Sequence, residues 1–132
     1  MSLTNAAELA IGQGLFNGTS FAIGSLQLGL LTAASESAHT EVTTGVYSTY
    51  ARQTITGSEA SSVWTVKNSS DANAAIEFPA LASGDTGVTA THWGLFDASN
   101  NLYVYGEITG NLVLTAGQVP TVAANSLTVT FN

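Results

Sequence analysis

The side chains best suited to acid–base or metal chemistry in this sequence are two histidines and nine carboxylates. His39 and His92 lie far apart, and no His-x-x-x-His spacing brings two imidazoles onto one helical face. Zinc would need further nitrogen, sulfur or carboxylate ligands close by, and the chain has no cysteine. We therefore expect structural or solvent-facing roles for both histidines, and we predict neither a metal site nor a cofactor.

Two short segments superficially match ligand-binding loops. Asp97, Ser99 and Asn101 carry side-chain oxygens at alternate positions, as calcium loops do, but no Gly occupies the sixth place and no Glu the twelfth. A hairpin turn held by local bonds from side chain to backbone accounts for the same residues. Residues 12–18 contain three glycines, but they follow a helical pattern and no Lys succeeds them, so helix termination is the better interpretation.

The carboxylates do not form a catalytic motif. Paired-carboxylate hydrolysis needs two such groups about 5 to 10 Å apart in a cleft. The candidates are dispersed along the chain and lie mostly near turns: Glu36, Glu41, Glu59, Asp71, Glu77, Asp85 and Glu107. The sequence also lacks a Gly-x-Ser-x-Gly elbow. We predict that the protein is not an enzyme.

The charge balance limits the class of partner. Only Arg52 and Lys67 oppose the nine acidic residues, which leaves a formal net charge of −7. Nucleic-acid binding depends on basic side chains that displace counterions from phosphates, and anionic membrane surfaces attract basic clusters. The sequence therefore predicts neither a nucleic-acid partner nor membrane attachment. Because charged residues are only 8% of the chain, large protein–protein contacts need to desolvate few ions.

Six large amphipathic aromatic residues remain as candidates for packing or recognition: Tyr47, Tyr50, Trp64, Trp93, Tyr103 and Tyr105. We predict that Trp64 and Trp93 fill the core. Tyr103 and Tyr105 alternate with Leu102 and Val104 and are predicted to cover a subunit interface. The alternative is a surface on which exposed rings stack against sugars.

Arg52 is unusual because it is the single arginine of a sparsely charged chain. We predict that it forms a structural ion pair, with Glu107 or Glu77 as candidate partners.

One helix is predicted, over residues 4–16. Asn5 and Glu8 have the spacing of a capping box, and Asn17-Gly18 is a termination signal. A narrow apolar stripe recurs every fourth residue, at Leu3, Ala7, Ile11 and Leu15. This stripe suits packing on a sheet or on a neighbouring subunit.

Strand patterns follow the helix. Leu26, Leu28 and Leu30 alternate with smaller or polar residues, and Leu127, Val129 and Phe131 alternate with Thr. The clearest hairpin spans residues 89–108 around a turn at 97–101, whereas residues 33–44 lack any period and are predicted to form an exposed loop. Short strands at spacings near ten residues predict a mainly β fold, an antiparallel β-sandwich (jelly-roll-like) with a short N-terminal helix. We expect a single domain over residues 1–132, with a helical segment at 1–17 and the sandwich at 18–132.

The order of these segments resembles a family of small bacteriophage virion proteins, which are described as phage tail fibre proteins or capsid decoration (cement) proteins. The segments that carry the resemblance are residues 3–6, 15–19, 26–32, 50–53, 73–80, 88–98, 102–108 and 123–130, including Tyr50-Ala51-Arg52-Gln53 and His92-Trp93-Gly94-Leu95-Phe96-Asp97. These are fold motifs, so the resemblance implies a virion location after synthesis in the host cytoplasm, and no catalytic or cofactor-binding residue.

Two functions are compatible with this resemblance. The first is a capsid decoration or cement protein that binds the assembled capsid as a homo-oligomer, and a compact, weakly charged chain without a repetitive shaft favours it. The second is a tail-fibre or head-fibre module that recognises a host-surface glycan. Either function predicts contact with further copies of the chain, a trimer being the best single expectation, and with the major capsid protein or a tail component.

The predicted contact surface is the helical segment, and the competing hypothesis is that this helix only caps one end of the sandwich. An isolated helix of this length is marginal in water, so packing must stabilise it. We expect Leu3, Ala7, Ile11, Leu15 and Phe16, together with Tyr103 and Tyr105, to contact a partner. The loop at residues 33–44 is expected to contribute to the same surface, because long polar loops often meet partners.

Overall fold

The computed structural model describes residues 2–18, 25–60 and 63–130. A short strand, β1 (Ser2–Leu3), precedes the helix α1 (Asn5–Asn17). The remaining strands are β2 (Leu26–Ala34), β3 (His39–Glu41), β4 (Gln53–Ala60), β5 (Val63–Asn68), β6 (Ile76–Glu77), β7 (Val88–Phe96), β8 (Leu102–Leu114), β9 (Thr121–Val122) and β10 (Thr128–Thr130).

Antiparallel pairing joins eight strands into one sheet, in the order β1-β8-β7-β2-β4-β5-β10, with β3 paired to β2 beside this path. β6 and β9 form a second, two-stranded sheet. The antiparallel sheets curl into a half-barrel. The predicted mainly β, antiparallel fold with one short N-terminal helix is confirmed. The predicted hairpin at residues 89–108 is also present as β7 and β8, although β8 continues without a break to Leu114.

Alternation along β2 divides the apolar residues between two clusters. Leu28 and Leu30 are buried in the main cluster, which includes Tyr47, Phe78 and Val129. The neighbouring positions face the other side of the sheet, where Leu31 joins a smaller cluster of Leu31, Phe96 and Leu102. The last predicted strand, over residues 127–131, is present as β10 with Val129 buried, while Phe131 lies outside the described residues.

Two glycines make room for the smaller cluster. Gly29 and Gly94 are directly opposite each other on β2 and β7. A Cβ on Gly29 would lie 2.9 Å from Cε2 of Phe96, and a Cβ on Gly94 would lie 2.6 Å from Cδ1 of Leu102. Real Cβ atoms do not approach other carbons so closely, so the Phe96 ring can lie over the sheet only because both positions lack a side chain.

The prediction of an exposed loop over residues 33–44 is wrong for residues 33–34 and 39–41, which belong to strands, whereas residues 35–40 are exposed as expected. β2 extends to Ala34, the chain turns with a bond from Ser35 N–H to the Ala38 carbonyl (2.8 Å), and β3 returns along β2. The register shifts between Leu31 and Ala33, and β3 is only three residues long. Apolar and polar residues therefore do not alternate over residues 33–44, because a bulge and a very short strand both interrupt the two-residue period.

The assignment of both tryptophans to the core is also wrong in part. Trp93 is partly buried and packs against the main cluster, but Trp64 is 43% exposed at one end of the sheet. Trp64 lies on β5, which is covered on one side by the three-residue β10. Its register partner Val129 belongs to β10, the last strand of the sheet, so the indole of Trp64 lies near the sheet edge and stays partly at the surface.

The packing of the Trp93 ring against Gly106 provides a test of core packing. A Cβ on Gly106 would lie 2.5 Å from Cζ2 of Trp93, so Gly106→Ala should lower the free energy of unfolding by about 1–3 kcal/mol through overpacking. Gly12→Ala is the matched control, because a Cβ there meets nothing within 4 Å and helix propensity should raise stability by about 0.5–1 kcal/mol. Urea unfolding of the two variants measures both effects. Equal urea midpoints for Gly106→Ala and the wild type would show that the Trp93 indole does not pack against Gly106.

Candidate functional site

The helix α1 is anchored to the sheet at its first residues. Thr4 is the N-cap: its Oγ1 accepts from the Ala7 N–H at 3.3 Å and donates to the Leu102 carbonyl at 2.5 Å. The Thr4 N–H donates to the Tyr103 carbonyl at 3.0 Å. The predicted capping box starting at Asn5 is thus wrong by one residue, because Thr4 meets both the helix and β8 whereas Asn5 is exposed. Gly18 ends the helix as predicted, in the left-handed conformation (φ 65°).

Beyond this anchor the helix is largely uncovered. Ala7 is its one buried residue. The exposed fractions of the apolar side chains are 63% for Leu9, 37% for Ile11, 75% for Leu15 and 88% for Phe16. We call these four residues the exposed helix surface. At about 100° per residue they lie on two sides of the helix axis, so the apolar character is not confined to the predicted stripe.

The structure brings only part of the predicted contact set together. Leu3 pairs with Val104 at the edge of the sheet, packs against the main cluster, and leads directly into the Thr4 anchor beside Tyr103. Ile11, Leu15 and Phe16 lie on the uncovered part of α1.

Tyr103 and Tyr105 do not share a face. The register of β7 and β8 shifts between Leu95 and Phe96, which inserts Tyr103 as an extra residue. Tyr103 consequently packs against the main cluster, while Tyr105 packs against the smaller one with Leu102. Tyr105 lines a cleft of about 450 Å³ with His92 and Glu107, and its ring centroid lies 6.3 Å from that of His92.

Arg52 forms the predicted ion pair, but with Glu41. Nε of Arg52 donates to Oε1 of Glu41 at 2.8 Å and Nη2 donates to Oε2 at 2.7 Å, a bidentate geometry. The predicted partners Glu107 and Glu77 are wrong. Glu41 lies on β3, which the sequence did not reveal as a strand, so no local pattern indicated that it approaches Arg52.

The ion pair lies inside a larger cluster. The guanidinium carbon of Arg52 is 3.6 Å from the centroid of the Phe96 ring, and Nη1 donates to Oδ1 of Asn100 at 3.0 Å. The Tyr50 hydroxyl donates to Oε1 of Glu41 at 2.8 Å and accepts from the Leu30 N–H at 2.9 Å. Burial raises the pKa of Tyr50, and the hydrogen bond to Glu41 raises the pKa of Arg52. Since all three guanidinium nitrogens have acceptors in the protein, this cluster serves to hold strands together.

Asp97 closes the β7–β8 turn through its carboxylate, as the sequence predicted. Oδ1 accepts from the N–H groups of Ser99 (2.8 Å) and Asn101 (2.9 Å), and Oδ2 accepts from Nδ2 of Asn101 and the Tyr103 hydroxyl. Burial of Asp97 opposes its ionisation, but these hydrogen bonds outweigh burial and hold the pKa of Asp97 below its ordinary value. The carboxylate is therefore a structural acceptor.

The structure also contains a surface that sequence reasoning missed. An apolar groove of about 140 Å³ lies beside Trp64, lined by residues of β2, β4, β5, β7, β8 and β10. We call it the Trp64 groove. Six strands that are distant in sequence meet at this point, so only the sheet order could reveal it.

In the part of the chain that the structure describes, no group of three or more His, Cys, Asp or Glu side chains is arranged to hold a metal ion. Nor does the described helix have the length and apolar character needed to cross a membrane.

These features define a mainly β protein whose polar clusters hold its own turns and strands. A family model described as podophage GP4 fiber I protein gp80 matches residues 2–130. The chain belongs to this family and is a phage fibre-type structural protein. The expected relation to small phage virion proteins is confirmed. No curated protein matches the sequence.

Removal of the Glu41 carboxylate should destabilise the fold, because it leaves the partly buried Arg52 without its counterion. The Arg52 and Glu41 side chains are only 14% and 22% exposed. We expect Glu41→Ala to lower the free energy of unfolding by about 1–3 kcal/mol. Glu77→Ala removes an exposed carboxylate and should change stability by less than about 0.5 kcal/mol. Similar chemical-denaturation midpoints for the two variants would contradict the role given to the ion pair.

The Asp97 turn should make stability depend on pH. The depressed pKa means that ionised Asp97 stabilises the fold above the unfolded-state pKa of about 3.9, and that this contribution is lost as pH falls through the lower folded-state value. Asp97→Asn should cost about 1–3 kcal/mol at pH 7, and the difference from wild type should shrink below about pH 4.

Asp71→Asn is the matched control, because the Asp71 side chain accepts from one local N–H, that of Asn73. Its effect should be small. Thermal unfolding from pH 3 to 7 measures all three proteins, and a constant offset for Asp97→Asn across that range would contradict the assignment.

Proposed function

We propose that the protein is a non-catalytic, fibre-type subunit of a podophage virion, and that it attaches to further copies of itself and to another virion component through α1. The observation that carries this proposal is the exposed helix surface, in which Leu15 and Phe16 are 75% and 88% exposed. The family match supports the fibre-type role. We treat residues 1–132 as one domain in this assembly, located in the virion.

The energetics of α1 favour a partner. A helix of 13 residues is marginal on its own in water, and tertiary contacts normally stabilise it along an apolar face. Here the anchor at Thr4 and Ala7 covers only the first turns. A helix that carries apolar side chains on several sides is typical of a buried environment. A virion partner that covers Leu9, Leu15 and Phe16 would supply this environment.

A capsid decoration role is the second candidate. Two basic and nine acidic residues leave most of the surface uncharged, which lowers the desolvation cost of the extensive contacts that a lattice-bound protein makes. A trimer would suit both a fibre and a capsid lattice. The two roles differ in stoichiometry: a fibre component is present in few copies per virion, whereas a decoration protein follows the capsid lattice and is far more abundant. Quantitative mass spectrometry against the major capsid protein measures this ratio, and we expect the low, fibre-like value.

The docking role of α1 predicts the behaviour of a charged variant. Leu15→Asp should reduce incorporation into virions about tenfold or more, because a charge would be buried at the contact, while the melting temperature stays unchanged since Leu15 is exposed in the free protein. Val113→Asp is the matched control, because Val113 is 60% exposed on β8, away from the helix.

The measurement is competitive assembly of wild-type and tagged variant protein into particles that lack the endogenous copy. Equal incorporation of Leu15→Asp and wild type would show that α1 is not the attachment surface. A lowered melting temperature for Leu15→Asp would instead place the residue in the core of the free protein.

A further inference from the structure

The Trp64 groove is an apolar site with a preformed floor. Its floor consists of four buried side chains, Ile55, Leu95, Val104 and Val129, and its wall is the indole of Trp64, which is 43% exposed. None of the lining residues is charged. The one polar aromatic group there, the Tyr103 hydroxyl, is engaged with Asp97. The groove can therefore take an apolar side chain, and its lining offers no charge to an ion.

Its size fits one phenyl ring. The groove volume is about 140 Å³. An apolar cavity of about 150 Å³ in a protein stays dry and binds benzene, which is the ring of a phenylalanine side chain. Among the residues that the structure describes, Phe16 near the end of α1 carries a strongly exposed phenyl ring, at 88% exposure. The groove lies on the strands and the ring lies on α1, so the two surfaces share no residue.

We propose that Phe16 of one copy inserts into the Trp64 groove of a second copy. This inference rests on the proposed function and names the acceptor for α1 in self-assembly. None of the residues that line the groove is charged, so insertion of an apolar ring there buries no lining ion and carries little desolvation cost. Aromatic side chains bury about 150–250 Å² each, so Phe16 against Trp64 forms a compact apolar hot spot.

The contact joins two different surfaces, because a ring on one copy enters a groove on another. Every copy in a closed assembly donates one ring and accepts another. If two copies exchange rings reciprocally, the contact closes into a two-fold dimer. If the ring of each copy enters the next one, the assembly closes into a larger ring, such as a trimer, or extends into a filament.

Three variants, each of which replaces a surface-exposed residue by serine, test the inference. Phe16→Ser removes the inserting ring, Trp64→Ser removes the wall of the groove, and Val113→Ser changes an exposed apolar residue outside both surfaces. Light scattering and sedimentation should show wild type and Val113→Ser above the 13.5 kDa mass of one chain. Phe16→Ser and Trp64→Ser should each self-associate about 30-fold more weakly, as for an interface hot spot.

The decisive measurement mixes the two deficient variants. Phe16→Ser retains the groove and Trp64→Ser retains the ring, so an equimolar mixture should form a one-to-one heterodimer of twice the mass of one chain and grow no further. A mixture that stays monomeric, or either variant assembling alone as wild type does, overturns the inference. Thermal melts identify a misfolded Trp64→Ser, and Trp64→Leu then replaces it as an apolar wall without the ring. If Leu15→Asp loses virion incorporation while the mixture fails to pair, the proposed function stands and this acceptor is wrong.

Discussion

The Glu41–Arg52 ion pair over the Phe96 ring is the interaction on which the arrangement of this protein depends. Arg52 precedes β4, Glu41 ends β3 and Phe96 ends β7, so one guanidinium ties together three segments that are distant in sequence. The Tyr50 hydroxyl links this cluster to β2 by accepting from the Leu30 N–H. Asn100 links it to the β7–β8 turn by accepting from Arg52. A bidentate pair with low exposure is rigid, so it fixes the position of these segments in addition to the backbone pairing of β2 with β3, β4 and β7.

The stack beneath this ion pair explains the glycines of the central strands. Phe96 can lie on the sheet because Gly29 and Gly94 have no side chains, and the Arg52 guanidinium lies over the buried Phe96 ring. The order of layers is therefore glycine pair, aromatic ring and guanidinium, with the Glu41 carboxylate close to Gly29. A Cβ on Gly29 would lie 3.0 Å from Oε1 of Glu41, so a substitution there meets both the ring and the ion pair.

This use of polar groups shapes the function. The bidentate ion pair and the Asp97 carboxylate are both engaged in holding strands and turns, and the surfaces proposed for recognition, at α1 and beside Trp64, are apolar. Such surfaces suit permanent contacts between virion subunits, since apolar burial is non-directional and needs little desolvation of charge. The membership of a phage fibre family is consistent with this division between a polar framework and apolar contacts.

The sequence by itself determined the features that depend on near neighbours. Alternation of Leu26, Leu28 and Leu30 predicted β2, the side-chain oxygens around Asp97 predicted the turn, and Gly18 predicted the end of α1, because each signal acts within a few residues. Only the tertiary structure decided the features that depend on register. A bulge separated Tyr103 from Tyr105, a three-residue strand brought Glu41 to Arg52, and the strand order built the Trp64 groove. The physical reason is that one inserted residue reverses which face every later side chain occupies, and no local pattern records where that insertion falls.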